Sequence, residues 1–364
     1  MKIVNISYSI PVPEYTDPEA WVKKIRFSTG ILERMANYAE VVAIYHIRYK
    51  GDFYKNGVTY YFPGFTRWQL LLPFAFNRYI KNLRPDVVIV HGLISPWQVV
   101  MLRAVLGRKI KIVGQHHAER PLRYHRALFQ RWADRYIETY LFTSLDLARD
   151  WKSRHLIRDL EKVKEVMEAS SPFYSLDIGE ARKITGVRGS ISFIWVGGLN
   201  PGKNPVMVLK AFATFLQTEP EARLYMIFQS TELLHEVEQL AAPHPNISLV
   251  GQVPNDDLLY WYNSVHYVIS SSFYEGSGIA VCEAMSCGCI PILTNIPSFR
   301  MMTGHGKVGV LFEPGNEKGL VDALHKALTL NAEKEKENVL QQFKDVLSSE
   351  AIARNTMKII EEIL

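Results

Sequence analysis

Short apolar runs separated by stretches of helical period fill the whole chain. In its first half KIVNIS (2–7), EVVAIYHI (40–47), DVVIVHG (86–92), KIKIVGQ (109–115) and YLFTS (140–144) read as strands, with a helical pattern over 19–38. FYKNGVTYYF (53–62) reads as a small hairpin, because Asn56-Gly57 is the pair that a two-residue turn prefers. Periodicity is lost over 165–190, where Ser, Pro and Gly gather, and an interdomain linker is expected there. The alternation then restarts: strands at ISFIWVGG (191–198), RLYMIF (223–228), ISLVGQV (247–253), YVISSS (267–272), CIPILT (289–294) and KVGVLF (307–312), with helices near 205–217, 231–241, 256–264 and 279–286 between them. Polar-faced helices are expected from about 317 to 364. β-rich runs alternating with helices predict parallel sheets covered on both faces, so the expected class is α/β with two doubly wound domains. Ligands of such sheets bind at the carboxyl ends of the strands, and two sheets facing each other would leave a cleft there.

Composition changes this picture little. The chain has 364 residues, 48% hydrophobic and 22% charged, which excludes a disordered or fibrous class and suits two cores. No apolar run approaches the ~18 residues of a membrane span. The apolar part of MKIVNISYSI is short and broken by Asn5 and Ser7, which favours a first strand over a signal peptide. Cys282, Cys287 and Cys289 lack the partners for a zinc site and make no disulfide framework. They read as buried small hydrophobes in a protein of the reducing cytoplasm.

Charge is more informative by halves. Residues 1–168 carry +11 and residues 169–364 carry −6, so an anionic partner should meet the first half. Anionic headgroups, a phosphorylated acceptor and nucleic acid all qualify by charge. Aromatic and basic residues mix over 60–84, with Arg67, Arg78, Lys81 and Arg84, and basic residues recur over 120–135. That mixture suits a membrane interface, but a buried helix with a wet edge accounts for the same letters and is the preferred expectation.

Candidate chemistry lies in SSSFYEGSGIAVCEAMSCGCIPILTN (270–295), where Glu275 and Glu283 stand eight positions apart. Glu275 falls in the loop after a strand; Gly276 and Gly278 permit close backbone approach, and the amides of Ser277, Gly278 and Ile279 open a helix, where an anion is favoured. Glu283 lies within that helix and could accept two hydroxyls, as a ribose diol offers, while Glu275 could do the same for a sugar. A salt bridge or cap remains the simpler reading of each carboxylate taken alone. In SFIWVGGLNPGKNPVMVLKAF (192–212), Asn204-Pro205 is a favourable helix start and puts Lys203 at a helix N-terminus, where it could share a phosphate with the amides. His116 and His117 end one strand and His91 another; one of the adjacent pair should point toward a ligand and the other away. VGGLNPGKN does not fit a dinucleotide fingerprint, and no Asp-x-Asp pair is present to hold a metal on a diphosphate.

These residues resemble the retaining glycosyltransferases of family 4. The family's E-G-x-G-(I/L)-x-x-x-E-A-x-A-x-G-x-P stands here as Glu275-Gly276-Ser277-Gly278-Ile279 through Glu283 to Pro291. WVGGLNPGKNP, GQVPNDDLLYWY, VGVLFEPGN, PDVVIVHG and IVGQHHAERP are similar to further family segments. The resemblance implies a GT-B fold: a Rossmann-like acceptor-side domain over 1–168, a Rossmann-like nucleotide-sugar domain over 169–346, and a last helix, about 347–364, packed back on the first. It implies Glu283 on the ribose, Glu275 on the transferred sugar, Lys203 with the backbone of Ser277, Gly278 and Ile279 on the leaving diphosphate, and His117, rather than His116, near the reacting carbon. Gly197, Gly198 and Val253 are the remaining implied donor contacts. The implied donor is a nucleotide-diphosphate sugar, the acceptor a carbohydrate, lipid-linked or small molecule; no metal, cofactor or nucleic acid is called for. Contact with the inner face of the membrane would run through the basic first half.

Three departures stand out. The family's arginine after V-G is Gly198, the Gly-Gly turn after the first strand is replaced by YSIPVPEYTDPEAW, and RLYMIFQSTELL lacks the family's G-x-G. Loss of the arginine motivates the alternative of a catalytically weak GT-B protein that binds nucleotide-sugar or a partner; a nucleotide-sugar epimerase is a third reading.

Overall fold

The computed structural model describes residues 1–9 and 11–364; Ile10, within the segment that replaces the Gly-Gly turn, lies outside the described residues. The chain divides into two compact units, residues 1–170 with 349–364, and residues 171–348.

Among the described residues the first unit holds β1 (Lys2–Ser7), β2 (Glu40–Ile44), β3 (Gly51–Lys55), β4 (Val58–Phe62), β5 (Val87–His91), β6 (Lys111–Gln115), β7 (Thr139–Phe142) and β8 (Val163–Glu165). They form one sheet in the order β3-β4-β2-β1-β5-β6-β7-β8, parallel except for β3 against β4. The exception is the hairpin: Asn56 and Gly57 both take left-handed backbone, with φ of 48° and 85°, as a primed two-residue turn requires. The central strands are apolar on both faces, Val87 to Val90 being buried throughout, because helices cover the sheet on either side. The final helix, Ser349–Ile363, lies against the helix Arg26–Met35 and belongs to this unit.

The second unit holds β9 (Ile191–Gly197), β10 (Ala222–Phe228), β11 (Ile247–Gly251), β12 (Tyr267–Ser270), β13 (Ile290–Thr294) and β14 (Val310–Phe312), all parallel in the order β11-β10-β9-β12-β13-β14. Strand order reverses at β9/β12, where ligands of doubly wound sheets bind. The three cysteines are buried; burial pushes Cys287 up to about 12 and raises the other two as well, so they pack as neutral thiols.

Three local readings need correction. The pattern over 19–38 breaks at Ile25 into helices Pro18–Lys24 and Arg26–Met35. The segment 165–190 is not all linker: Ile178–Thr185 is helical, with Asp177 accepting from the Glu180 amide at 3.0 Å and left-handed Gly186 ending it. The aromatic-basic segment is only half buried. Leu70, Phe76 and Ile80 face the core, but Trp68, Leu71, Leu72 and Phe74 are exposed.

Candidate active site

In the second unit, two loops that leave neighbouring strands of the switch point are laced together. Ser271, after β12, donates its hydroxyl to the carbonyls of Lys203 and Asn204 at 2.7 and 3.0 Å, and the Phe273 amide donates to the Gly202 carbonyl at 3.0 Å. Asn204 does not cap the helix Pro205–Phe215 through its side chain as its sequence position suggested. It takes left-handed backbone instead, φ 51°, which turns the chain into Pro205 at the first helical position. The Lys203 ammonium is thereby ion-paired with the Glu275 carboxylate, which also accepts from the Ser272 hydroxyl at 2.7 Å. Lys203 keeps about a third of its side chain exposed, at 35% against 13% for Glu275.

The helix Ile279–Ser286 opens beside this pair from Gly278, which sits at φ 53° with no side-chain cap. A Cβ there would come within 2.8 Å of Phe299, so backbone and space both demand glycine. Lys203, Ser272, Glu275, Gly278 and Ile279 line one depression with Trp195. Uncapped amides, a lysine and a partly open pocket are the chemistry that suits an anion, and Lys203 already has a carboxylate partner there.

Other expected donor contacts lie elsewhere. Glu283, 6% exposed, accepts from the Tyr262 hydroxyl at 3.3 Å, and Val253 packs in the same apolar cluster as Tyr262. Burial, then the Glu283 charge, pushes the Tyr262 phenol up. Gly197 ends β9 beside Trp195; Gly198 follows it, and the place where its side chain would begin is filled by Asn200 and Ser230, each 2.8 Å away.

In the first unit the two adjacent histidines part company. His116 is fully buried and stacked on Phe142 with ring centroids 4.2 Å apart. His117 lines a cavity of about 230 Å³ together with His91 and Asn5. His117 Nδ1 is ion-paired with Glu168, beyond the end of β8, and its Nε2 lies 3.0 Å from His91 Nδ1; His91 Nε2 lies 3.1 Å from Asn5 Oδ1. Burial holds His91 down at about 3, and therefore neutral. Asn5, His91, His117 and Glu168 thus form one chain of polar contacts, in which the His91 and His117 rings face each other through their nitrogens. Burial alone would lower His117, but the hydrogen bond and charge of Glu168, and the charge of Glu119, raise it overall. Sequence reasoning missed Glu168 and Asn5, although a carboxylate in VMEASS and an asparagine inside an apolar strand were both visible signals.

Residues 177–344 match the family model described as Glycosyl transferases group 1, and residues 37–163 match the one described as Glycosyltransferase Family 4, one in each unit. The chain belongs to the family 4-type GT-B glycosyltransferases. Among curated relatives, this GT-B chain is 29% identical over 136 residues to O-antigen chain mannosyltransferase B of Escherichia coli, an alignment covering 36% of the chain and 34% of that protein. The match thus spans about a third of that relative's length. Among solved structures, sucrose-phosphate synthase from Thermosynechococcus elongatus aligns over 100% of this chain and 98% of its own with a TM-score of 0.72 at 13% identity. Anabaena HepE in complex with UDP aligns over 100% of both chains with a TM-score of 0.71 at 13% identity. At such identities these structures establish the GT-B fold. Among the described residues no helix is long and apolar enough to cross a membrane.

Proposed function

We propose that the protein transfers a hexosyl or related sugar, with retention of anomeric configuration and without a metal, from a nucleotide-diphosphate sugar to a carbohydrate, lipid-linked or small-molecule acceptor. The observation that carries this reading is the Lys203–Glu275 pair at the open start of the helix Ile279–Ser286. A leaving diphosphate draws Lys203 off Glu275 and takes hydrogen bonds from the amides of Ser277, Gly278 and Ile279, beside Gly197 and Gly198. Glu275, so released, accepts from hydroxyls of the transferred sugar; Glu283 accepts from the ribose, with Val253 near the base. His117, whose ion-pair partner Glu168 favours its protonated form, is assigned to the charge that develops beside the reacting carbon. In this reading no metal is needed, because the lysine and the oriented amides supply the positive potential. UDP in the HepE complex supports a nucleoside-diphosphate donor, and the mannosyltransferase relative supports a hexosyl group.

Incubation with a panel of UDP-, GDP- and ADP-sugars tests the reading. Transfer or slow hydrolysis of one donor, with the α or β configuration kept in the product, is the expected result. Tight binding with neither reaction would leave the weak GT-B binder in its place.

Peripheral contact with the inner face of an anionic membrane belongs to the same proposal. Trp68, Leu71, Leu72 and Phe74 are exposed apolar residues beside Arg67 and Arg78, a pairing suited to a headgroup layer.

A further inference from the structure

Where the backbone bonds between β5 and β6 end, a carboxylate takes the place of one more rung. The Gly92 amide donates to the Gln115 carbonyl at 2.9 Å, and the His116 amide turns away to the Leu141 carbonyl at 2.9 Å. The Leu93 and His117 amides that follow both donate to the Glu119 side chain, Leu93 to Oε1 at 2.9 Å and His117 to Oε2 at 2.7 Å. Left-handed backbone at Ala118, φ 62°, folds Glu119 back over its own loop. The buried His116 ring secures the same turn, its two nitrogens meeting the Glu119 carbonyl at 2.9 Å and the Ala118 amide at 3.4 Å. A Cβ on Gly92 would stand 3.1 Å from Glu119 Oε1, so the loop after β5 leaves room for the carboxylate where it crosses.

Amides at the end of a sheet need an acceptor, and a neutral one would serve. The Glu119 side chain is only 13% exposed, and its ion-pair contact is with the ring of His116 at 3.7 Å, which burial holds down, rather than with a lysine or arginine. A weakly compensated carboxylate in such a place costs more than two amides require. What it secures in return is His117, which two carboxylates hold at its two ends. Glu119 takes the backbone amide, and Glu168, from beyond β8, takes ring Nδ1, while Nε2 faces His91. Neither anchor alone fixes the ring: with the amide released the backbone swings about the Glu168 contact, and with the ring released the side chain turns about χ1. Glu119 also holds Leu93, two residues past His91, so the two histidine-bearing loops keep one spacing.

We propose that Glu119 is a positioning residue for the transfer reaction, one that touches neither sugar and acts through its placing of His117. This rests on the sugar-transfer reading above.

The test is a double-mutant cycle on the full chain, assayed with whichever donor of the UDP-, GDP- and ADP-sugar panel the wild type uses. Glu119→Gln keeps the size of the side chain but presents an NH2 group to one of the two amides. It should lower kcat about 10- to 100-fold and leave the donor KM within about twofold. In a His117→Ala background the same exchange should change kcat by less than about twofold, because the group it places is gone. Glu138→Gln is the structural control: Glu138 accepts from the Ile112 amide at 2.9 Å near the start of β6 and pairs with Arg103. Both exchanges should lower the melting temperature, and only Glu119→Gln should lower kcat. In histidine-labelled protein the His117 ring signals, identified by their loss in His117→Ala, should move in Glu119→Gln and stay in Glu138→Gln.

A full kcat with Glu119→Gln, an equal loss in the His117→Ala background, an equal loss with Glu138→Gln, or ring signals that stay in both exchanges would each overturn the proposal. Should Glu119→Gln not fold, Glu119→Asp, which keeps both oxygens but draws them back by one methylene, goes through the same cycle with the same outcomes. A wild type that transfers sugar from no donor would sink the transferase reading and this proposal with it; the other failures leave that reading standing.

Discussion

The Lys203 ammonium is paired with the Glu275 carboxylate, which joins the loop after β9 to the loop after β12 across the mouth of one helix. This pair holds a cation beside the uncapped start of the helix Ile279–Ser286. In the proposed mechanism, exchange of Glu275 for phosphate costs one ion pair and returns a stronger set of charged hydrogen bonds. Lys203→Ala should weaken UDP or GDP binding by about 10- to 100-fold, corresponding to the ~1.5–3 kcal/mol of a charged hydrogen bond. Glu275→Gln should do the opposite to the bare nucleotide, tightening it several-fold, while abolishing transfer. Calorimetric titration and a product assay read the two effects separately, and weaker nucleotide binding in Glu275→Gln would remove the exchange from the mechanism.

Glu283 is buried against Tyr262 rather than on the depression that Lys203 lines. If it holds the ribose, Glu283→Gln should weaken the nucleotide by about 10-fold or more, and the loss should shrink when the 2′-deoxynucleotide is used for both proteins. An equal loss for both nucleotides would make Glu283 a support for Tyr262 and nothing more.

Acid should destabilise the fold. Burial lowers His46 to about 4, His91 to about 3 and, with help from Arg182 and Lys336, His266 to about 4. Below the usual histidine value of 6.5 the unfolded chain binds protons that the folded chain refuses, so stability falls as pH drops from 6.5 toward 4. Each fully responding histidine contributes at most about 1.4 kcal/mol per pH unit. His117 has the opposite sign: its raised value adds stability that is complete below 6.5 and is lost as pH rises through the folded value. Urea unfolding at pH 7 and pH 5 should give a lower stability at pH 5, and His46→Phe should flatten the difference.

Gly278→Ala should lower the melting temperature by roughly 2–8 °C, since left-handed backbone costs an alanine about 1–2 kcal/mol before its clash with Phe299 is counted. Scanning calorimetry would show it, and an unchanged transition would mean that the loop re-forms without strain.

For the exposed patch, co-sedimentation with phosphatidylglycerol vesicles should fall several-fold in Trp68→Ser/Phe74→Ser and should weaken in high salt. Binding that ignores both the substitutions and the salt would locate membrane contact elsewhere or remove it.

Strands were easier to read than caps and breaks. The apolar runs from KIVNIS to KVGVLF all became strands because buried parallel sheets demand continuous apolar sequence. The helix at Ile178–Thr185 was missed because Ser and Pro before it masked a short amphipathic turn, although Asp177, Glu180 and Gly186 marked both of its ends. At the candidate site the roles of Lys203 and Glu275 were each read from their own loop. Their pairing was illegible because it joins residues 72 positions apart. The same holds for His117 and Glu168, which meet through strand order and not through spacing along the chain.

The helix Ser349–Ile363 gives the first unit a discontinuous sequence. Ala351, Ile352, Ala353, Met357, Ile359 and Ile360 are buried in that helix, and Ser349 lies 3.1 Å from where a Gly30 side chain would begin. During synthesis the first unit therefore stays incomplete until the ribosome has made all of the second, and its helix Arg26–Met35 waits with an uncovered apolar face. A stop codon just before Ser349 would injure the beginning of the protein.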